Sequence, residues 1–316
     1  TLFIINYIQN KELNMNDIKK IGLTALAGSL VATSAYAGDL SVTGSSKITY
    51  ADADEDEVTG NPFSMGQGIT FSGSGDLDNG MSMAWTYTMT NAAFSSSNIK
   101  LDMGDSGEFA FGNGSSVAGI KKYADNVPTA GEQVYDDVDT NDYGLADNVS
   151  NANMLGYNGT FGGIGVSLGY TKDSTDADTS WVLTYDGLMD GLSVGLGMGE
   201  DGITSDDLTW WLKYTSGAIT AAYQHSEVDF VASGTNTQKS DHLGVSFAVN
   251  EDLSVSIGRQ EVDMGAGKVD EESTGVAASY TMGSLTLAAH SNKTDDVGGT
   301  AGNEDSVREV SVAFAF

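Results

Sequence analysis

The sequence predicts an all-β protein, an antiparallel transmembrane β-barrel of about 16 strands. Three observations carry that expectation. An export segment precedes the fold, a side-chain period of two runs through nearly everything after it, and the connections alternate between short and long. Composition agrees. The 316 residues include 40 Gly, only 2 Pro and no Cys, so disulfides and thiolate metal sites are excluded. There are 44 acidic against 14 basic residues, a formal charge of −30. Nucleic acid is therefore not an expected partner, since phosphate contacts need a basic face. At 40% hydrophobic residues the chain is too polar for a bundle of membrane helices.

Residues 1–14 precede Met15, a better start, and read as an over-extended gene start. Met15 opens a short segment with Lys19 and Lys20, followed by the apolar run from Ile21 to Val31 and by Ala35-Tyr36-Ala37. A basic start, a short apolar stretch and an A-x-A ending are the marks of a secretory signal peptide. Residues 15–37 are expected to be that peptide, cut between Ala37 and Gly38. The apolar run is too short to span a bilayer as a helix. After Gly38 no stretch of 18 apolar residues occurs. If the chain crosses a membrane, it must do so as a closed barrel, because only helices and barrels satisfy every backbone group in hydrocarbon.

Strands follow from alternation. In Met81-Ser82-Met83-Ala84-Trp85-Thr86-Tyr87-Thr88-Met89 the large apolar groups fall on odd positions and small groups on even ones. Ile164-Gly165-Val166-Ser167-Leu168-Gly169-Tyr170, Leu192-Ser193-Val194-Gly195-Leu196-Gly197-Met198 and Leu253-Ser254-Val255-Ser256-Ile257 repeat it. Such a period points alternate side chains to opposite faces. The second face is mostly Ser, Thr, Gly and Ala rather than charged, which suits lipid outside and water inside. The expected strands are 40–50, 64–75, 80–90, 96–103, 108–113, 152–160, 164–172, 178–186, 191–199, 206–215, 218–226, 239–249, 252–261, 272–282, 284–293 and 305–316. Short connections such as Phe161-Gly162-Gly163, Ser216-Gly217 and Gly283 are hairpin material. Longer ones fall near 51–63, 91–95, 114–151, 173–177, 200–205, 227–238, 262–271 and 294–304. Strict alternation places all turns at one rim and all loops at the other. Trp85, Tyr87, Trp181, Tyr185, Trp210, Tyr214, Tyr223, Tyr280, Phe314 and Phe316 sit at outward parity, while Trp211 breaks it and should point inward.

The chain ends in Glu309-Val310-Ser311-Val312-Ala313-Phe314-Ala315-Phe316, alternating to a terminal aromatic. Together with Gly38-Asp39-Leu40-Ser41-Val42-Thr43-Gly44, the strand count and the loop order, residues 38–316 resemble the sixteen-stranded general-diffusion porins of Gram-negative bacteria, of the compact alphaproteobacterial type. The resemblance implies a homotrimer in the cell outer membrane, in contact with lipid and lipopolysaccharide, each protomer with its own water-filled pore for small hydrophilic solutes. Phe316 would be the assembly signal read by the barrel-assembly machinery. The resemblance also implies a constriction, made by the third external loop folded into the lumen. The corresponding stretch here is 114–151, the longest connection. It carries Asp125, Glu132, Asp136, Asp137, Asp139, Asp142 and Asp147, expected to line that constriction. The family sets basic side chains opposite. By parity Lys47, Lys100 and Lys213 face the lumen and are the candidates, while Arg259 and Arg308 face outward near the external rim.

Other chemistries fit poorly. Gly197-Met198-Gly199-Glu200-Asp201-Gly202 spells a dinucleotide fingerprint, but a strand follows where a helix is required. The acidic run 52–57 lacks the glycine and the terminal glutamate of a calcium loop. No cofactor is expected beyond loose Ca2+ or Mg2+ binding on acidic loops. His225, His242 and His290 are scattered without metal-ligand spacing. No nucleophile with a visible base partner occurs, so the chain is not expected to be an enzyme. The expected function is a passive channel that prefers cations. The alternative is a substrate-specific outer-membrane channel or a loop-mediated adhesin barrel.

Overall fold

The computed structural model describes residues 40–53, 61–138, 145–172, 176–202, 204–230, 237–265 and 267–316. Sixteen strands follow one another: β1 (Ser41–Ala53), β2 (Phe63–Asp76), β3 (Ser82–Thr90), β4 (Ala93–Asp102), β5 (Glu108–Asn113), β6 (Met154–Phe161), β7 (Ile164–Lys172), β8 (Ala177–Tyr185), β9 (Leu192–Asp201), β10 (Ser205–Ser216), β11 (Ile219–Phe230), β12 (Gln238–Ala248), β13 (Leu253–Asp263), β14 (Glu271–Met282), β15 (Leu285–Asp295) and β16 (Glu304–Ala315). Each pairs antiparallel with the next, and β1 closes the ring on β16. The closure reaches the last residue: Gly44 N–H donates to the Phe316 carbonyl at 2.6 Å, and Phe316 N–H donates back to Gly44 at 2.9 Å. Closure leaves no edge strand, so every ladder has its partner.

Burial is inverted relative to a water-soluble fold. On β7, Ile164, Leu168 and Tyr170 are 46%, 45% and 41% exposed, whereas Ser167 and Thr171 are 2% and 3% exposed. The same inversion recurs on β10, with Leu212 and Tyr214 exposed and Thr209 fully buried. A soluble protein hides its large apolar groups. A ring that presents them outward is built to sit in hydrocarbon. Aromatic rings cluster on that outer face: Trp85 stacks on Tyr87 at 6.3 Å, and Trp210 lies 5.3 Å from Tyr223.

At one rim the turns are tight. Gly162 and Gly163, between β6 and β7, have φ of 59° and 87°, which a two-residue hairpin of this hand requires. At the other rim the strands run further than the sequence suggests. β11 continues to Phe230 rather than stopping at 226, and β1 continues to Ala53 rather than 50. The expected loop at 91–95 is only the two residues Asn91 and Ala92, with φ of 50° and 64°. The parts of the strands near that rim carry charge on the outer face. Arg259 on β13 pairs with Glu272 on β14 at 2.7 Å and with Glu261 at 2.6 Å, and Lys293 on β15 pairs with Asp295 at 2.6 Å. An arginine facing hydrocarbon is costly, so this band marks where the lipid-facing belt ends.

Candidate functional site in the barrel interior

The connection between β5 and β6 lies against the small-residue face of the wall. Gly119 N–H donates to Ser167 Oγ on β7 at 2.9 Å, and Ile120 N–H to Ser180 Oγ on β8 at 3.3 Å. Asn126 N–H donates to Gln224 Oε1 on β11 at 2.7 Å, and Ala130 N–H to Ser256 Oγ on β13 at 2.8 Å. Asn292 Nδ2 on β15 donates to the carbonyls of Gln133 and Asp136 at 2.8 and 2.9 Å. The chain then comes back, with Asn148 N–H bound to Asp207 on β10 at 2.8 Å and Ser150 N–H to Asp178 on β8 at 2.7 Å. A segment that meets one face of strands from β7 to β15 of a closed ring runs inside the ring. Its backbone cannot pair as a sheet there, so wall hydroxyls and amides take over that role.

The apolar contacts explain the glycines of the wall. Ile120, Ala146 and Val149 of the segment pack with Val182 of β8 and Trp211 of β10. Tyr123 stacks on Trp211, ring centroids 5.3 Å apart. A Cβ at Gly199 on β9 would come within 2.9 Å of Ile120, and one at Gly244 on β12 within 2.4 Å of Val127. Small residues at these inward positions make the groove in which the segment lies. Trp211 is the inward exception to parity.

The charged candidates divide into groups. Glu132 meets Lys47 of β1 at 3.2 Å, and Lys47 also reaches Glu309 of β16 at 3.1 Å. Lysine and carboxylate are here in contact, rather than facing one another across open space. Lys100 on β4 pairs with Glu108 on β5 at 3.2 Å. Lys213 is partly exposed on the face that holds Trp211. Asp125 points at the wall: it accepts from Val127 N–H at 2.8 Å and from the Tyr135 hydroxyl, and lies 3.6 Å from His242 Nδ1 on β12. Burial, with Asp125 beside it, pushes the Tyr135 phenol up, so it stays a donor. Asp136 accepts from Gln133 N–H at 2.6 Å, and burial raises its pKa. Asp137 lies 3.4 Å from His290 Nε2 on β15, and that contact holds its carboxyl below the usual range. Asp147 is 3.6 Å from Lys121 within the segment. Asp139, Asp142, Ala37 and Gly38 lie outside the described residues. Phe316 lies at the β1–β16 seam, its ring beside Gly44, and as a residue is 79% exposed.

Several interior residues escape the sequence reading. Gln224, His242, Gln260, His290 and Asn292 are buried on the inner face. Their signal was present, as large polar groups at positions where parity calls for small ones. Among the described residues, Asp137, His290 and Glu309 form a group that could hold a metal ion.

A closed barrel with an apolar exterior and a polar interior is the architecture of an outer-membrane channel. Comparison with known proteins agrees. The model of the Gram-negative porin family matches residues 22–316, and the chain belongs to that family. These are channels of the outer membrane, not enzymes. Among solved structures the chain is similar to an anion-selective porin from Comamonas acidovorans, with 18% identity, a TM-score of 0.66, and 89% of this chain and 100% of that one covered. It is similar to a porin refined at 1.8 Å, with 17% identity, a TM-score of 0.66, and 88% and 100% covered. OmpT, an outer membrane protein of Vibrio cholerae, matches at 12% identity and a TM-score of 0.60, with 88% and 97% covered. At these identities the likeness is one of fold. No curated protein matches the sequence.

Proposed function

We propose that the protein forms a water-filled pore for passive diffusion of small hydrophilic solutes and ions, with a preference for cations. The observation that carries this reading is the inner wall of Ser, Thr and Gly, partly covered by the segment that follows β5. Among the described residues the larger polar groups of the inner face, such as Gln224 and Asn292, are engaged by the segment, and the rest of the wall is mainly small polar groups, which favours diffusion over specific binding. The segment 114–151 acts as the constriction. Glu132, Asp137 and Asp147 keep 41%, 48% and 45% of their side-chain surface accessible and supply its negative field. The excess of 44 acidic over 14 basic residues adds to that field at the mouth.

The comparison with the anion-selective Comamonas protein bears on fold, and selectivity is set by the charges grafted on it. Reversal potentials in planar bilayers test the preference. Cation selectivity that weakens with salt is expected, because exposed charges are screened beyond about 8–10 Å. Anion selectivity at low salt would overturn it. Deleting residues 133–147 should raise single-channel conductance, and unchanged conductance would count against the constriction.

The same reading includes a homotrimer embedded in lipid and lipopolysaccharide, export by residues 15–37, and insertion by the barrel-assembly machinery through the strand that ends at Phe316. Chemical cross-linking in detergent tests the trimer.

A further inference from the structure

We propose that Asp137, His290 and Glu309 form a binding site for a divalent transition-metal ion of the zinc class, on the inner wall where the segment after β5 meets β15 and β16. His290 and Glu309 are direct cross-strand partners in the β15–β16 ladder and share the inner face. Asp137 is brought to them by the neighbouring anchor, Asn292, which holds the carbonyls of Gln133 and Asp136. One ligand atom from each lies within 4.8 Å of the others. His290 Nε2 and Asp137 Oδ2 are 3.4 Å apart, about the separation of two ligands across a tetrahedral ion with bonds of ~2.1 Å.

A second observation points to a ligand. The His290 side chain is only 4% accessible, and its Nε2 atom, aimed into this group, is buried without a hydrogen bond of proper geometry. The 3.4 Å contact with Asp137 gives it an ion-pair partner but no aligned hydrogen bond, and a buried imidazole nitrogen held that weakly is uncommon in folded proteins. A metal ion would satisfy it and neutralise the two carboxylates at once. One imidazole with two carboxylates suits zinc and its neighbours, which accept nitrogen and oxygen together. It suits calcium poorly, since calcium takes six to eight oxygens.

Lys47 gives the site a built-in competitor. Its ammonium lies 3.1 Å from Glu309 and 3.2 Å from Glu132. An incoming ion takes Glu309 away from Lys47, which keeps Glu132. Removing the lysine charge should therefore tighten metal binding, while removing a ligand should weaken it. A loose acidic surface would not show that pair of opposite signs.

The test is isothermal titration calorimetry with Zn2+ on the detergent-purified, EDTA-stripped full chain. The result expected is one tight ion per protomer, weakened about tenfold or more in Asp137→Asn and in His290→Asn, and tightened in Lys47→Met. Excess Mg2+ should not displace it. Asp137→Asn changes a residue of the inner segment and not of the wall, so it stands if the His290 variant fails to fold. No tight Zn2+ binding, or binding equal in all four proteins, would overturn the site. The readout does not depend on conduction, so it can fail while the channel stands, and the reverse.

Discussion

At Lys47 two carboxylates from different parts of the chain converge, Glu132 from the inner segment and Glu309 from β16. Lys47 and Glu132 each keep about 40% of their side-chain surface accessible, so screening leaves their pair worth less than about 1 kcal/mol. Glu309 is different, with 9% of its side chain accessible, so Lys47→Met leaves a buried carboxylate without its cation and should lower the unfolding midpoint in denaturant. The same change should raise the cation-to-anion permeability ratio, because it deletes a positive charge from the wall. Gln224 is a different case. Its amide oxygen accepts from Asn126 N–H at 2.7 Å, and its amide nitrogen donates to the Ala124 carbonyl at 2.8 Å and to Thr209 at 2.9 Å. Gln224→Ala strands those buried groups, each costing about 1–3 kcal/mol. Limited proteolysis should cut the 114–151 segment faster in this variant while the strands resist as before. The sequence made the inward placement of Lys47 legible, because parity alone decides it. The partnership of Asp137, His290 and Glu309 was not legible. It needs the β15–β16 register and the docking of a segment far away in the chain, and neither leaves a mark in local spacing.

Among the elements, strand existence and order were readable because the period of two persists through every strand. The external ends were not. Sequence reading stops a strand where charges begin, yet β11 keeps its alternation past that point, with Ser226 and Val228 buried and Glu227 on the other face. Glu227 pairs there with Lys239 of β12 at 3.3 Å. The ladder continues above the hydrocarbon, and only the outward residue type changes. The hairpin at Asn91 and Ala92 was missed for a different reason. Alanine at a positive φ carries no turn signature, and the ladder shifts register at Thr88 and Met89 just before it. Left-handed backbone costs an alanine roughly 1–2 kcal/mol. Ala92→Gly should therefore raise the unfolding free energy by about 1 kcal/mol, read from the denaturant midpoint in detergent. A lowered midpoint would show that the glycine loosens the unfolded chain more than it relieves the turn.

For the whole molecule, one asymmetry governs the rest. Large apolar groups face out, small polar groups face in, and a polar segment runs over the inner wall. The acid-rich composition fits a protein facing an ionic medium. The most direct measurement is single-channel recording of the detergent-purified protein in planar bilayers. Discrete, long-lived conductance steps that grow in proportion to bulk salt are the predicted result, inserted in groups of three if the channel is a trimer. A bilayer that stays silent at protein concentrations where the folded barrel is inserted would contradict the account.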